Sequence, residues 1–215
     1  VNYLVRKLCV GVSLSMGLLN GANATYVNGN PLGNIDPTGL ACTAANGTVT
    51  CNVPGGPTIS FPRPPKWPDH IQPGDSNYHY YDKWVNAGKT DSGCLQQYIQ
   101  NHPTPGSPQP ATPSGTQNDA SPLWASWLTS SPVRSYSMTS NGVPVVVNVT
   151  MPDHPLFPGY VARTVVPGSN GNIVNNFGEG TGLAQNPYMP GSDKFINNVW
   201  YGLTQNAIDA CSCSK

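Results

Sequence analysis

Between Tyr136 and Phe177 the chain carries a rhythm that reads as a small antiparallel sheet. Tyr136–Thr139, Val143–Thr150, Tyr160–Val166 and Asn172–Phe177 are rich in β-branched and aromatic residues. Asn141-Gly142, Pro158-Gly159 and the run from Gly168 to Gly171 punctuate them. Such residues favour a pleated, half-buried surface, and the dipeptides between them are turn formers. Downstream, Ser192 or Asp193 is placed to cap a helix running to about Ala210. Phe195, Ile196, Val199, Leu203 and Ile208 are the side chains predicted to lie on the sheet. The fold class read from this half is α+β, a small antiparallel sheet with a C-terminal helix packed on it.

The rest is harder to order, because 23 Gly and 23 Pro occur in 215 residues, well above their usual share of roughly 12%. Proline removes backbone donors and glycine raises the entropy lost on ordering, so long Pro/Gly-rich irregular segments are expected. Four divisions follow: 1–24, 25–40, a loop-rich region 41–122 with short helices, and an α+β region 123–215. Ala41–Pro54 reads as a loop or short hairpin, and Pro54–Pro73 as an extended linker or wrapping arm. Asn77–Val85 reads as a helical turn that packs Tyr80, Tyr81 and Trp84 against the core. Ser92–Asn101 is a short helix capped by Ser92 or Asp91, with Leu95, Tyr98 and Ile99 as its apolar stripe. His102–Pro122 is predicted to be mobile, and Leu123–Leu128 to be a brief helix.

Formal net charge is zero and only 9% of residues are charged. That disfavours a high-affinity duplex binder, which would need a basic surface. The six cysteines, Cys9, Cys42, Cys51, Cys94, Cys211 and Cys213, form no paired Cys-x-x-Cys units, so no structural zinc site is predicted. Two readings stay open: free thiols, or a Cys42–Cys51 link with Cys94 joined to Cys211 or Cys213, which would suit an oxidising compartment. Residues 1–24 have the form of a secretory signal, with Arg6-Lys7, an apolar run from Leu8 to Leu19, and Ala22-Asn23-Ala24. That run is about a dozen residues, short of the roughly 20 that span a bilayer, so no stable membrane span is expected.

Tyr26–Leu40 contains Asn30-Pro31-Leu32 and then Asp36-Pro37-Thr38-Gly39-Leu40. It resembles the closing segment of the core domain of Rhs (YD-repeat) polymorphic toxins, in which a variable effector follows such a junction. Met16–Val27 extends the likeness, with Leu14-Ser15 where an earlier Asp-Pro would stand. The resemblance implies that Ala41 onward is a toxin payload used in interbacterial competition. It also implies a cognate immunity protein and, in a longer system, an Rhs shell or secretion machinery. The payload would be secreted, periplasmic or delivered into a target cell. Junction cleavage in that family pairs acidic groups. Here Asp36 is the only acid in the first 68 residues, so Asp36, Pro37, Gly39 and Leu40 mark a boundary and self-cleavage is not expected.

The candidate chemistry lies in Pro152–Arg163 and Asn176–Gly182. His154 has a pKa suited to acid–base work, and Arg163 could stabilise an anionic transition state. Glu179 is the only Glu in the chain, and Thr181 adds a hydroxyl. The expectation is that His154, Arg163, Glu179 and Thr181 converge at one sheet edge and act as a metal-independent hydrolase or ribonuclease on a nucleic-acid substrate. No cofactor is implied. The opposing reading has His154 ordering a turn, Arg163 exposed on a strand, and the Gly-rich segment Gly178–Gly182 serving as a tight loop. His70, Asp75 and His79 fit no metal motif, and Gly-x-Ser-x-Gly and P-loop patterns are missing. The rival functions are an envelope-targeting toxin and a non-enzymatic surface or adhesion fragment.

Overall fold

The computed structural model describes residues 42–53, 58–106, 108–121, 130–182 and 192–212, with side chains from 198 onward in the last segment. The signal-like residues, the Rhs-like junction, the helix predicted at Leu123–Leu128 and the side chains of Phe195 and Ile196 lie outside them.

The core is a six-stranded antiparallel sheet covered on both faces. Its strands are β5 (His79–Gly88), β6 (Thr116–Asp119), β7 (Pro132–Ser140), β8 (Val143–Thr150), β9 (Gly159–Gly168) and β10 (Gly171–Gly180), in the order β5-β10-β9-β8-β7-β6. A second antiparallel sheet is built from β1 (Cys42–Ala45), β2 (Thr48–Asn52), β3 (Thr58–Pro62) and β4 (His70–Ile71), in the order β3-β2-β1-β4. The helices are α1 (Ser92–Asn101) and α2 (Ser192–Ser212). The α+β class read from the sequence is the one observed.

Double coverage explains the valine run in β8. Val145, Val147 and Val149 join Tyr136, Tyr160, Ala162 and Phe177 against Cys51, Ile59, Phe61, Trp67 and Ile71 of the small-sheet layer. Val146 instead packs with Val174, Leu95, Ile99, Ala207 and Cys211 under the helices. A strand buried on both faces reads as continuous hydrophobicity because each side of its pleat needs apolar surface.

A disulfide lies within each covering layer. Cys42–Cys51 closes the β1–β2 hairpin, where the two residues are paired in register, and Cys94–Cys211 ties α1 to α2 across 117 residues of sequence. Asp91 caps α1 by accepting the Cys94 N–H at 2.7 Å. On α2, Trp200, Thr204, Ala207 and Cys211 are buried, whereas Val199 and Leu203 are only half-buried. The inward face is therefore turned about one residue from the predicted stripe, and it includes a hydroxyl.

Three predicted segments are corrected. Pro54–Pro73 is no linker: β3 and β4 lie in the small sheet, and Trp67 is buried against the edge of Phe61 at 5.5 Å. Asn77–Val85 supplies strand β5 rather than a helical turn, because pairing with β10 over nine register positions outweighs local helical spacing, and Trp84, predicted to face the core, is exposed. His102–Pro122 is ordered over most of its length. It contributes β6 and buries Thr104, whose hydroxyl donates to the Asp119 carbonyl. The large sheet thus draws strands from both sides of residue 122.

Candidate functional site

The four predicted site residues are divided between two faces and two levels of the sheet. Arg163 lies on the helix face of β9, opposite Asn176 in register. Glu179 lies on the other face of β10, opposite Tyr160, where the small sheet covers it. His154 belongs to the β8–β9 turn, and its N–H donates to the Met151 carbonyl. Thr181 sits just past β10 and donates its N–H to the Pro158 carbonyl at 3.0 Å. Along β9, Arg163 is four residues beyond Gly159, about 13 Å at the usual rise of 3.3 Å per residue. The turn bearing His154 does meet the end of β10: a Cβ on Gly182 would stand 2.5 Å from the Leu156 backbone. The expected convergence therefore fails for Arg163 and Glu179: Arg163 shares a face with its register partner Asn176, and Glu179 is three residues further along β10, an odd number that turns it to the other face.

His154 is built into its turn. Its Nδ1 accepts the Leu156 N–H at 2.9 Å, which places the neutral ring's proton on Nε2. Burial lowers its pKa to about 4, against a smaller opposing pull from the Asp119 carboxylate. At neutral pH it is an uncharged ring with one lone pair already used, a poor general base.

Glu179 is buried between the sheets. Its Oε2 accepts the Tyr160 hydroxyl at 2.8 Å and lies 3.6 Å from the Cys42 sulfur. Because Cys42 is in a disulfide, the latter is a contact without a proton. Burial first, and then the carboxylate, hold the Tyr160 phenol well above its usual pKa.

Arg163 belongs to a feature not anticipated from the sequence: a hydrogen-bonded polar seam across the helix face with one residue from each of five adjacent strands. Asn118 of β6 donates to the Ser135 hydroxyl at 3.0 Å, and Ser135 donates to Asn148 at 2.7 Å. Asn148 donates to the Pro103 carbonyl at 2.8 Å. Arg163 Nη1 reaches the His102 and Pro103 carbonyls at 3.1 and 3.5 Å, while its Nε donates to Asn176 at 3.0 Å. Asn176 donates in turn to Thr204 on α2 at 3.2 Å. The guanidinium lies 5.4 Å from the Trp200 ring centre, and Nη2 makes no hydrogen bond. Burial lowers the Arg163 pKa to about 10, so it stays charged at neutral pH. In β8 and β9 the sequence does show a polar residue, Asn148 or Arg163, amid valines, but β6, β7 and β10 are polar at several positions, and only the register picks out the aligned ones.

The seam ends at an open cleft. About 590 Å³ in volume, it lies beside β6 and is lined by residues that include Asn118, Asp119, Gln109, Gln117 and Ser130. Asp119 Oδ1 accepts the N–H groups of Ser121 and Ser131 at 2.8 and 3.1 Å, and Oδ2 accepts the Ser130 hydroxyl at 3.2 Å. Partial burial opposes ionisation, yet these hydrogen bonds prevail and hold the carboxyl below its usual pKa. His70 Nε2 is 3.5 Å from Asp75, while the His79 ring bonds to the Asn77 carbonyl. Among the described residues no three His, Cys, Asp or Glu side chains are grouped to hold a metal ion. Nor is any described helix long and apolar enough to cross a membrane.

No protein-family model and no curated protein matches the chain. Among solved structures it is similar to protein MLL2253 from Mesorhizobium loti, with 11% identity, 61% of this chain and 98% of that one covered, and a TM-score of 0.39. It is also similar to the di-domain ARO/CYC StfQ from the steffimycin biosynthetic pathway, with 12% identity, 76% and 73% coverage, and a TM-score of 0.39. At these values neither defines a fold family or an activity for this chain.

Proposed function

We propose that residues from Ala41 onward are the effector portion of an Rhs-type competition system, and that this portion works outside the reducing cytoplasm, on a cell-envelope target. The disulfides carry the choice of compartment. One closes the hairpin of the small sheet and the other joins the two helices, so each of the two layers covering the main sheet carries an internal covalent link. Disulfides persist in secreted and periplasmic settings and are rare where glutathione and thioredoxin keep thiols reduced. The effector role itself rests on the likeness of Tyr26–Leu40 to the Rhs junction, with β1 beginning at Cys42 just beyond it. A cognate immunity protein is the implied partner.

Cleavage by a His154–Arg163 pair does not belong to this proposal, since the two stand at different levels of the sheet and the imidazole is committed to its turn. The test is to express residues 41–215 in a bacterial cytoplasm and, separately, behind an export signal, and to follow growth. Killing by the exported form alone is the expected result. Killing by the cytoplasmic form alone would overturn the compartment, and harmless folded protein in both would overturn the effector role.

A further inference from the structure

The cleft beside β6 has the size and the chemistry of a ligand site. Its volume of about 590 Å³ falls within the roughly 300–1,000 Å³ of small-molecule pockets. One wall carries Pro105, Pro108 and Gln109, and the other Gln117 and Asp119 of β6. Asn118 fixes the distance between them: its Oδ1 accepts the Gln109 N–H at 2.8 Å and its Nδ2 donates to the Gln109 carbonyl at 3.0 Å. The seam anchors Asn118 from behind through Ser135. Wall spacing and floor are thus set before any ligand arrives, which lowers the ordering cost of binding.

The lining also selects by charge. Asp119 presents a carboxylate held in one orientation by three hydrogen bonds, and among the described lining residues there is no Lys or Arg. Arg134 is in register with Gln117 on β7 but is not part of the cleft wall. A phosphate-bearing ligand would meet an acid in the lining and no basic side chain within it, and nucleic-acid affinity depends on cations. The exposed amides of Gln109 and Gln117 each offer donors and an acceptor, and a carboxylate accepts only. Together they complement hydroxyl groups, which both donate and accept. The half-buried rings of Pro108 and Pro132 add apolar surface for the C–H face of a sugar ring.

We propose that this cleft binds a neutral glycan, with Asp119 accepting from sugar hydroxyls and Gln109 and Gln117 bridging neighbouring ones. The ligand class follows from the cleft alone; that the glycan belongs to a cell envelope rests on the function proposed above. The test uses the purified full-length chain and isothermal titration with chitotriose and maltotriose, alongside a six-nucleotide RNA. Saturable binding of one of the sugars is expected, weakened about tenfold in both Asp119→Asn and the exposed Gln117→Ala, with no binding of the RNA. Absence of saturable sugar binding would overturn the proposal, as would unchanged affinity in both variants. RNA competing for the cleft would reassign it to nucleic acid. Growth is not measured here, so failure of the glycan assignment and failure of the envelope reading are read from different experiments.

Discussion

Replacing Cys94 and Cys211 together by Ala isolates the link between the helices, and its effect can be worked from the chain. The disulfide spans 117 residues. The chain-entropy relation gives about 16 cal/mol/K for a loop of that length, or about 5 kcal/mol at 25 °C. The nine-residue separation of Cys42 and Cys51 gives only about 2.5 kcal/mol by the same relation. At roughly 2–4 °C per kcal/mol for a domain of this size, losing the helix link should lower the Tm by about 10–20 °C. Urea unfolding followed by far-ultraviolet circular dichroism supplies the free energy and a second readout. The uncrosslinked unfolded chain exposes more surface, so the m-value should rise as the midpoint falls. A loss below about 2 kcal/mol with an unchanged m-value would refute the reasoning. It would mean that α1 and α2 are held by packing on Leu95, Ile99 and Ala207 and gain little from the bond. Peptide mapping of exported protein should recover the Cys42–Cys51 and Cys94–Cys211 pairs.

Acid should destabilise the fold through His154. The unfolded imidazole takes its proton near pH 6.5 and the folded one near 4; stability is full above the first value and falls by about 3 kcal/mol as pH drops to the second. His154→Asn should flatten that slope in denaturation measured from pH 7 to 4, and an unaltered slope would assign it to other groups. Gly178→Ala would place a Cβ 2.2 Å from the Tyr81 ring. It should cost about 1–3 kcal/mol in urea unfolding, and a neutral result would show that the ring can swing aside. Arg163→Ala leaves a void and strands the Asn176 and His102 oxygens, so a loss of about 3–5 kcal/mol is expected. A loss under 1 kcal/mol in thermal or urea unfolding would show that the seam relaxes around the gap.

How much was legible in the chain varies with the range of the forces involved. The meander from β7 to β10 was readable because its strands are β-branched and its turns are local chemistry: Asn141 and Gly142 both adopt positive φ, at 52° and 79°, as a tight hairpin turn requires. Helix α1 was readable from Asp91 and the spacing of Leu95 and Ile99. Strand β5 and the proline-rich β3–β4 segment were not. Their structure comes from partners distant in sequence, β10 for the one and the aromatic cluster of Phe61, Trp67 and Tyr136 for the other.

The candidate site shows the same division. Sequence alone named His154, Arg163 and Glu179 as unusual, and all three are indeed buried. It could not tell that Arg163 and Glu179 face opposite sides of the sheet, or that Asn118, Ser135, Asn148, Arg163 and Asn176 form a line. Side-chain direction alternates along every strand, so a shift of one residue in pairing exchanges the faces. That register is fixed by the packing of two different layers on the two faces, and residue type and spacing do not carry it.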